Sequence, residues 1–178
     1  MQPSKLLENE VSSFTAARRI ASASIALLTF CAPTALADQE PELRWQWRLE
    51  PQNARVGDEA YIVFNADIPD GFILYSSDFA AEMGPRPAKF LFETTEAITL
   101  IGPIEAVNSQ RRVDKTFGTE YSYFAGRAQF RQKVRLREDA DRIDGRIDGQ
   151  TCQEKDGLCA LFRQRFSVPL SAVAADAR

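Results

Sequence analysis

Residues 128–137 read AQFRQKVRLR, and the alternation within this stretch decides the fold class of the chain. Side chains at the even positions are mostly apolar, and those at the odd positions are polar or cationic. Because successive side chains of a strand point to opposite faces of a sheet, this period of two predicts a strand with one buried face and one solvated face.

The same alternation recurs in short segments that turn-forming residues separate. Pro69-Asp70-Gly71 and Gly102-Pro103 indicate two of these turns, and the tandem Arg-Ile-Asp-Gly at 142–149 indicates a twisted or bulged strand. Because no long segment keeps a helical period, we predict an all-β domain, an immunoglobulin-like antiparallel β-sandwich, with a small barrel as the alternative. Further strands are predicted at 43–49, 61–66, 72–75, 90–92, 98–101, 121–124, 143–152 and 161–168.

The first 37 residues have the features of a secretory signal. Arg18-Arg19 precede an apolar run that ends in Ala35-Leu36-Ala37, and the chain turns polar at Asp38. A basic flank, an apolar middle and small residues at the cleavage site predict a signal peptide over residues 1–37 and a mature domain over residues 38–178. An uncleaved membrane anchor is the alternative, but serine, threonine and proline dilute the run and spanning needs about 20 strongly apolar residues.

The composition excludes several classes of function. The chain has 22 basic and 25 acidic side chains, a net charge of −3, and no basic block that would attract nucleic acid or anionic lipid. It has no histidine, which removes histidine-based catalysis and nearly all common zinc sites. The carboxylates between Glu138 and Asp148 lack the order of a calcium loop, so we expect a solvated turn and no metal.

Two of the three cysteines remain after removal of the leader, which contains Cys31. Cys152 and Cys159 are separated by a largely polar stretch that includes Gly157, as expected of an exposed hairpin connection. Strand neighbours across a hairpin lie close to disulfide distance, and an even pair of cysteines suits an oxidising compartment. We therefore predict a Cys152–Cys159 disulfide, which is either a structural staple or a redox-active pair.

Four motifs in order resemble a known family. They are DGFILY at 70–75, DKTFG at 114–118, the cysteine segment at 151–159 and FSVPL at 166–170. Over residues 43–173 the chain resembles the N-terminal periplasmic domain of the thiol:disulfide interchange protein DsbD, also called the disulphide bond corrector family.

This resemblance implies an immunoglobulin-like fold with a redox-active cysteine pair under a mobile cap loop. In the family, the domain accepts electrons from a thioredoxin-like domain and passes them to periplasmic disulfide isomerases and to thioredoxins of cytochrome c maturation. The resemblance thus implies a periplasmic electron relay that works by thiol–disulfide exchange without a cofactor. By this resemblance, Cys152 and Cys159 correspond to the redox pair. The cap corresponds to Asp114, Phe117 and Gly118, and the aromatic residue that flanks the site corresponds to Tyr75.

The chain departs from the family pattern at three points. Lys115 replaces a second acid in the cap, Ala160-Leu161-Phe162 replaces prolines after the second cysteine, and the cysteine spacing is slightly long. These departures concern the tuning of reactivity rather than the fold.

The sequence ends at Arg178 with neither a transmembrane electron conduit nor a C-terminal thioredoxin-like domain, so, if it is complete, we expect a separate membrane electron conduit to supply its electrons. We also expect the domain to be a monomer. The rival interpretations are a redox-inert binding module with a structural hairpin disulfide, and an assembly factor that docks on a thioredoxin-like partner without turnover.

Overall fold

The structure, a computed structural model, describes residues 42–80, 84–93, 96–113, 118–137 and 141–170. These residues form strands and irregular connections, and none of them belongs to a helix with the length and hydropathy that a membrane crossing requires. The strands are β1 (Arg44–Glu50), β2 (Glu59–Asp67), β3 (Phe72–Tyr75), β4 (Lys89–Phe92), β5 (Ile98–Ala106), β6 (Gln110–Val113), β7 (Glu120–Ala125), β8 (Arg127–Leu136), β9 (Arg142–Gln153) and β10 (Cys159–Pro169).

The strands form two antiparallel sheets. One has the order β1-β2-β8-β5, and the other has the order β10-β9-β3-β7-β6, with β4 also paired to β9. Strands β3 and β4 share one edge of β9, because β3 pairs with its end near Cys152 and β4 pairs with its middle near Ile147. The predicted immunoglobulin-like β-sandwich is therefore confirmed, and the barrel alternative was wrong.

The main core lies between the two sheets and follows the alternation predicted from the sequence. Phe64 and Phe130 from the four-stranded sheet and Leu74, Ile147 and Val168 from the six-stranded sheet are completely buried. Residues 128–136 alternate between buried and more exposed positions, as expected for β8. Burial of these side chains supplies the main driving force for packing the sheets together.

The predicted turn at Gly102-Pro103 was wrong, because β5 continues through it. The register between β5 and β8 shifts between Ile101 and Glu105, so these residues form a bulge in one strand. Gly102 has a φ of +68°, which a glycine adopts without strain. The buried side-chain amide of Gln132 donates to the Gly102 carbonyl at 3.2 Å and to the Lys133 carbonyl at 2.9 Å.

The tandem repeat at 142–149 lies in a strand whose pairing is regular. Every residue of β10 has a register partner in β9 without a shift, so the bulge suggested by the sequence is absent from this pairing. Gly145 and Gly149 instead make room for aromatic rings: a Cβ on Gly145 would lie 2.3 Å from the Phe166 ring, and one on Gly149 would lie 2.5 Å from the Phe162 ring. The glycines of the repeat therefore leave the space that the Phe166 and Phe162 rings occupy.

Candidate functional site

The two cysteines face each other at the end of the β9–β10 hairpin where residues 154–158 connect the two strands. The backbone N–H of Gln153 donates to the backbone carbonyl of Leu158 at 2.8 Å, and this is the last hydrogen-bonded pair before the turn. Cys152 and Cys159 form the next pair in the register, and in such an alternation this pair is not hydrogen-bonded and its side chains stand closer. Their Cα atoms are 4.0 Å apart and their sulfurs are bonded, so the predicted hairpin disulfide is confirmed.

The two sulfur-bearing residues differ strongly in exposure. Cys152 is 3% exposed and lies on β9, which has neighbouring strands on both sides at this point. Cys159 is exposed and begins β10, the edge strand of the sheet. Leu158 and Leu161 next to it are 69% and 57% exposed. Of the two cysteines, Cys159 is therefore the one that an incoming molecule can reach.

Cys152 packs into a second apolar cluster, separate from the main core. Its other buried members are Ile73, Tyr75, Tyr121 and Tyr123. Because Ile73 and Tyr75 alternate with the core residue Leu74 along β3, this cluster lies on the face of the six-stranded sheet that points away from the other sheet. The Tyr75 ring meets the Tyr121 ring edge-on at 5.2 Å between centroids. The structure thus places Tyr75 in the same cluster as Cys152, and its role in the reaction stays a prediction.

Both sulfurs have a polar neighbour. The Nε2 atom of the half-buried Gln150 lies 3.7 Å from the Cys152 sulfur, and the Oε1 atom of the same amide accepts a hydrogen bond of 2.8 Å from the Arg86 backbone. The Cys159 sulfur lies 3.4 Å from the Gly157 carbonyl oxygen. The disulfide is therefore polarised differently at its two ends.

An arginine from the opposite edge of the sheet reaches the cysteine hairpin. The guanidinium of Arg112 on β6 lies 4.6 Å from the centroid of the Tyr123 ring, donates to the Tyr123 hydroxyl at 2.9 Å and pairs with Glu154 at 3.2 Å. Burial lowers the pKa of Arg112, but the Glu154 hydrogen bond and the nearby tyrosines outweigh it and raise that pKa above its ordinary value. The Glu154 amide also donates to the Gly71 carbonyl at 2.8 Å, so the start of the hairpin connection is held at two points.

A carboxylate that accepts hydrogen bonds from two serines fixes the segment that follows β3. Asp78 accepts hydrogen bonds from the hydroxyls of Ser122 and of Ser109, the latter at 3.0 Å. Burial raises the pKa of Asp78, but these hydrogen bonds outweigh it and hold the pKa below its ordinary value. The neighbouring Phe79 packs against the Tyr75 ring at 6.3 Å between centroids, so this carboxylate helps to position the wall of the cysteine cluster.

Part of the predicted site falls outside the described residues. Asp114 and Phe117 of the predicted cap are among these, as is the predicted signal peptide over residues 1–37. Gly118 is described and has a φ of +67°, a conformation that favours glycine. Among the described residues, no group of three or more histidine, cysteine, aspartate or glutamate side chains could hold a metal ion.

The polar groups around the disulfide were not predicted from the sequence. Gln150 lies two residues before Cys152, so strand alternation could have placed it on the same face as that cysteine. Arg112 and Glu154 are 42 positions apart, and no local pattern joins them.

Three comparisons place the chain among known proteins. The family model described as "Thiol:disulfide interchange protein DsbD, N-terminal" matches residues 35–171, whereas no curated protein matches. The N-terminal periplasmic domain of ScsB from Proteus mirabilis is 12% identical with a TM-score of 0.50, covering 77% of this chain and 49% of that one.

Two structures from Neisseria meningitidis are also similar. The reduced DsbD N-terminal domain is 16% identical with a TM-score of 0.42, covering 64% of this chain and 78% of that one. The complex of the DsbD and PilB N-terminal domains gives 14% identity and a TM-score of 0.43, covering 69% of this chain and 80% of that one. Because the family model spans well over half of the sequence, the resemblance seen in its motifs is confirmed, and the chain belongs to the family of the DsbD N-terminal domain.

Proposed function

We propose that this domain exchanges thiols and disulfides through Cys152 and Cys159 in the periplasm. In this proposal it accepts electrons from a thioredoxin-like donor, which a separate membrane conduit supplies, and passes them to periplasmic thioredoxin-like proteins or disulfide isomerases. The observation that carries the proposal is a disulfide with one exposed cysteine, Cys159, at the turn end of a hairpin, in a chain of the DsbD N-terminal family.

The exposure of the two cysteines supports one order of attack. A donor thiolate must approach one sulfur of the disulfide while the other sulfur leaves as a thiolate. Cys159 is exposed, whereas Cys152 is 3% exposed and lies among tyrosines. The donor therefore attacks Cys159 and forms a mixed disulfide with it, and a second donor thiol then releases reduced Cys159.

The reduction potential tests the proposal against a structural disulfide. A working pair must lie within exchange range of periplasmic partners, roughly −180 to −270 mV, whereas structural disulfides lie below about −300 mV. We expect the first range when the purified domain is equilibrated with glutathione buffers of known ratio and its free thiols are counted. If the pair stays oxidised below about −300 mV, the redox-inert binding module replaces the relay.

Single-cysteine variants test the order of attack. The Cys152→Ser variant retains the exposed Cys159, which should attack a small disulfide such as oxidised glutathione, form a mixed disulfide with it and release one reduced glutathione. The Cys159→Ser variant retains the buried Cys152 and should react much more slowly under the same conditions. Intact mass against time measures both, and faster capture by Cys152 would contradict the proposed order.

The cap is the part of the proposal that depends on the family pattern. We propose that Asp114 and Phe117 cover the disulfide until a partner displaces them, and that Gly118 is the last residue of this cap. Phe117→Ala should then speed the reduction of the disulfide by small thiols. Leu158→Ala is the matched control, because it removes an apolar side chain that already points into solvent. Equal rates for Phe117→Ala and the wild type would remove the lid from the proposal.

A further inference from the structure

The side-chain amide of Gln150 is directed at the sulfur that leaves in the proposed reaction. Its Nε2 atom lies 3.7 Å from the Cys152 sulfur, within the range of hydrogen bonds to sulfur. Both residues lie on the same face of β9, because they are two positions apart in one strand. The backbone of one strand therefore positions both residues.

The orientation of this amide is fixed by a second contact. The Arg86 backbone N–H donates to Gln150 Oε1 at 2.8 Å, and an N–H group can only donate, so the amide oxygen must face Arg86 and the NH₂ group must face the sulfur. Arg86 stands between Pro85 and Pro87, and a following proline restricts its backbone to extended conformations. The direction of the donor is therefore set before the reaction begins.

We propose that Gln150 is a catalytic residue that stabilises the Cys152 thiolate as it leaves. The donor thiolate forms a bond to the Cys159 sulfur, the Cys152–Cys159 bond breaks, and its electron pair moves to the Cys152 sulfur. A second thiolate of the dithiol donor then attacks its own sulfur in the mixed disulfide and releases Cys159, so the donor is oxidised and the domain is reduced. A disulfide sulfur is a weak acceptor and a thiolate a strong one, so the Gln150 hydrogen bond strengthens as charge develops.

The other end of the disulfide has the opposite electrostatic character. The Gly157 carbonyl oxygen lies 3.4 Å from the Cys159 sulfur, and an acceptor in that place disfavours negative charge on sulfur. The Gly157 carbonyl presents its negative end to the Cys159 sulfur, and the Gln150 amide presents its positive end to the Cys152 sulfur. Both dipoles therefore favour negative charge on the Cys152 sulfur when the disulfide breaks. The polar neighbours thus favour the same direction of cleavage as the exposure does.

The test measures the pKa of Cys152 in the Cys159→Ser variant, from the ultraviolet absorbance of the thiolate. Adding Gln150→Leu removes the donor and should raise this pKa. Adding Gln150→Glu keeps an oxygen for the Arg86 N–H but places negative charge at the sulfur, and should raise it further. Gln129→Leu is the matched control, since Gln129 is also half-buried and donates one hydrogen bond, to Asn65 at 3.0 Å, on the other sheet.

The rate of reduction by glutathione, with both cysteines present, completes the test. Gln150→Leu should lower this rate by about three- to tenfold, the size of one typical net hydrogen bond, and Gln129→Leu should leave it unchanged. Unchanged pKa and rate in Gln150→Leu would overturn the inference, and if that variant fails to fold, an unchanged pKa in Gln150→Glu would do so.

This inference rests on the proposed function, but the two fail differently. If glutathione cannot reduce the wild-type disulfide, the proposed relay function is wrong. The Gln150 inference is instead decided by the pKa of Cys152, which the Cys159→Ser background reports whether or not the relay operates.

Discussion

Reduction of the Cys152–Cys159 disulfide should leave the domain folded and only modestly less stable. The two cysteines are seven positions apart, and closing so short a loop contributes about 2.5 kcal/mol by the chain-entropy estimate. The hairpin does not depend on the bond, because every residue from Cys159 to Pro169 pairs with β9. Domains of this size are commonly stable by about 5–15 kcal/mol, so most of the stability should remain after reduction.

Urea unfolding of the oxidised and reduced domain measures this difference. Trp45 stacks on the core residue Phe130 at 6.3 Å between centroids, so tryptophan fluorescence should report loss of the main core. A Cys152→Ala/Cys159→Ala variant without reductant is the control, and its unfolding free energy should lie close to that of the reduced domain. A loss above about 4 kcal/mol, or unfolding on reduction, would refute the reasoning, because the disulfide would then hold the fold together.

Four further outcomes are expected. Gly145→Ala should lower the unfolding free energy measured in urea by about 1–3 kcal/mol, because its Cβ would collide with the Phe166 ring and the Leu91 carbonyl. Gln132→Leu should cost about 1–3 kcal/mol in the same assay, since the Gly102 and Lys133 carbonyls lose the donor that the buried Gln132 amide supplies. The pKa of Asp78 is lower in the folded than in the unfolded chain, so its contribution to stability is complete above about pH 4 and is lost as the pH falls through the folded pKa. Asp78→Asn should therefore make Tm depend less on pH in that acid range. The intact mass of protein recovered from the periplasm should correspond to a chain that begins at Asp38.

The sandwich and the cysteine hairpin could be predicted because their determinants are local. Alternation along residues 128–137 marks a strand without knowledge of its neighbours, and the polar segment between Cys152 and Cys159 marks its own turn. The short strand β6 was missed because all four of its residues are exposed, so it has no apolar face to alternate. An edge strand of this kind is defined by its hydrogen bonds to β7 and not by its composition.

The polar surroundings of the disulfide could not be predicted for a different reason. Gln150 receives its orienting hydrogen bond from a backbone group 64 positions away, and the glycine at 145 is required by a ring on another strand. The bulge at Gly102 could not be predicted either, because a Gly-Pro pair is equally suited to a turn and to a bulge. The hydrogen bond from the buried Gln132 decides between the two. Contacts between distant segments set these outcomes.

The pairing of Cys152 with Cys159 in the strand register bears on how such a site tolerates insertions and deletions. The two residues oppose each other because β10 pairs with β9 along its whole length, and only the turn at residues 154–158 connects the two strands. Residues could be added to or removed from that turn while the sulfurs keep their relative placement. The number of residues between the cysteines can therefore vary, and a longer connection offers new surface beside the exposed Cys159 on which partner preference can evolve.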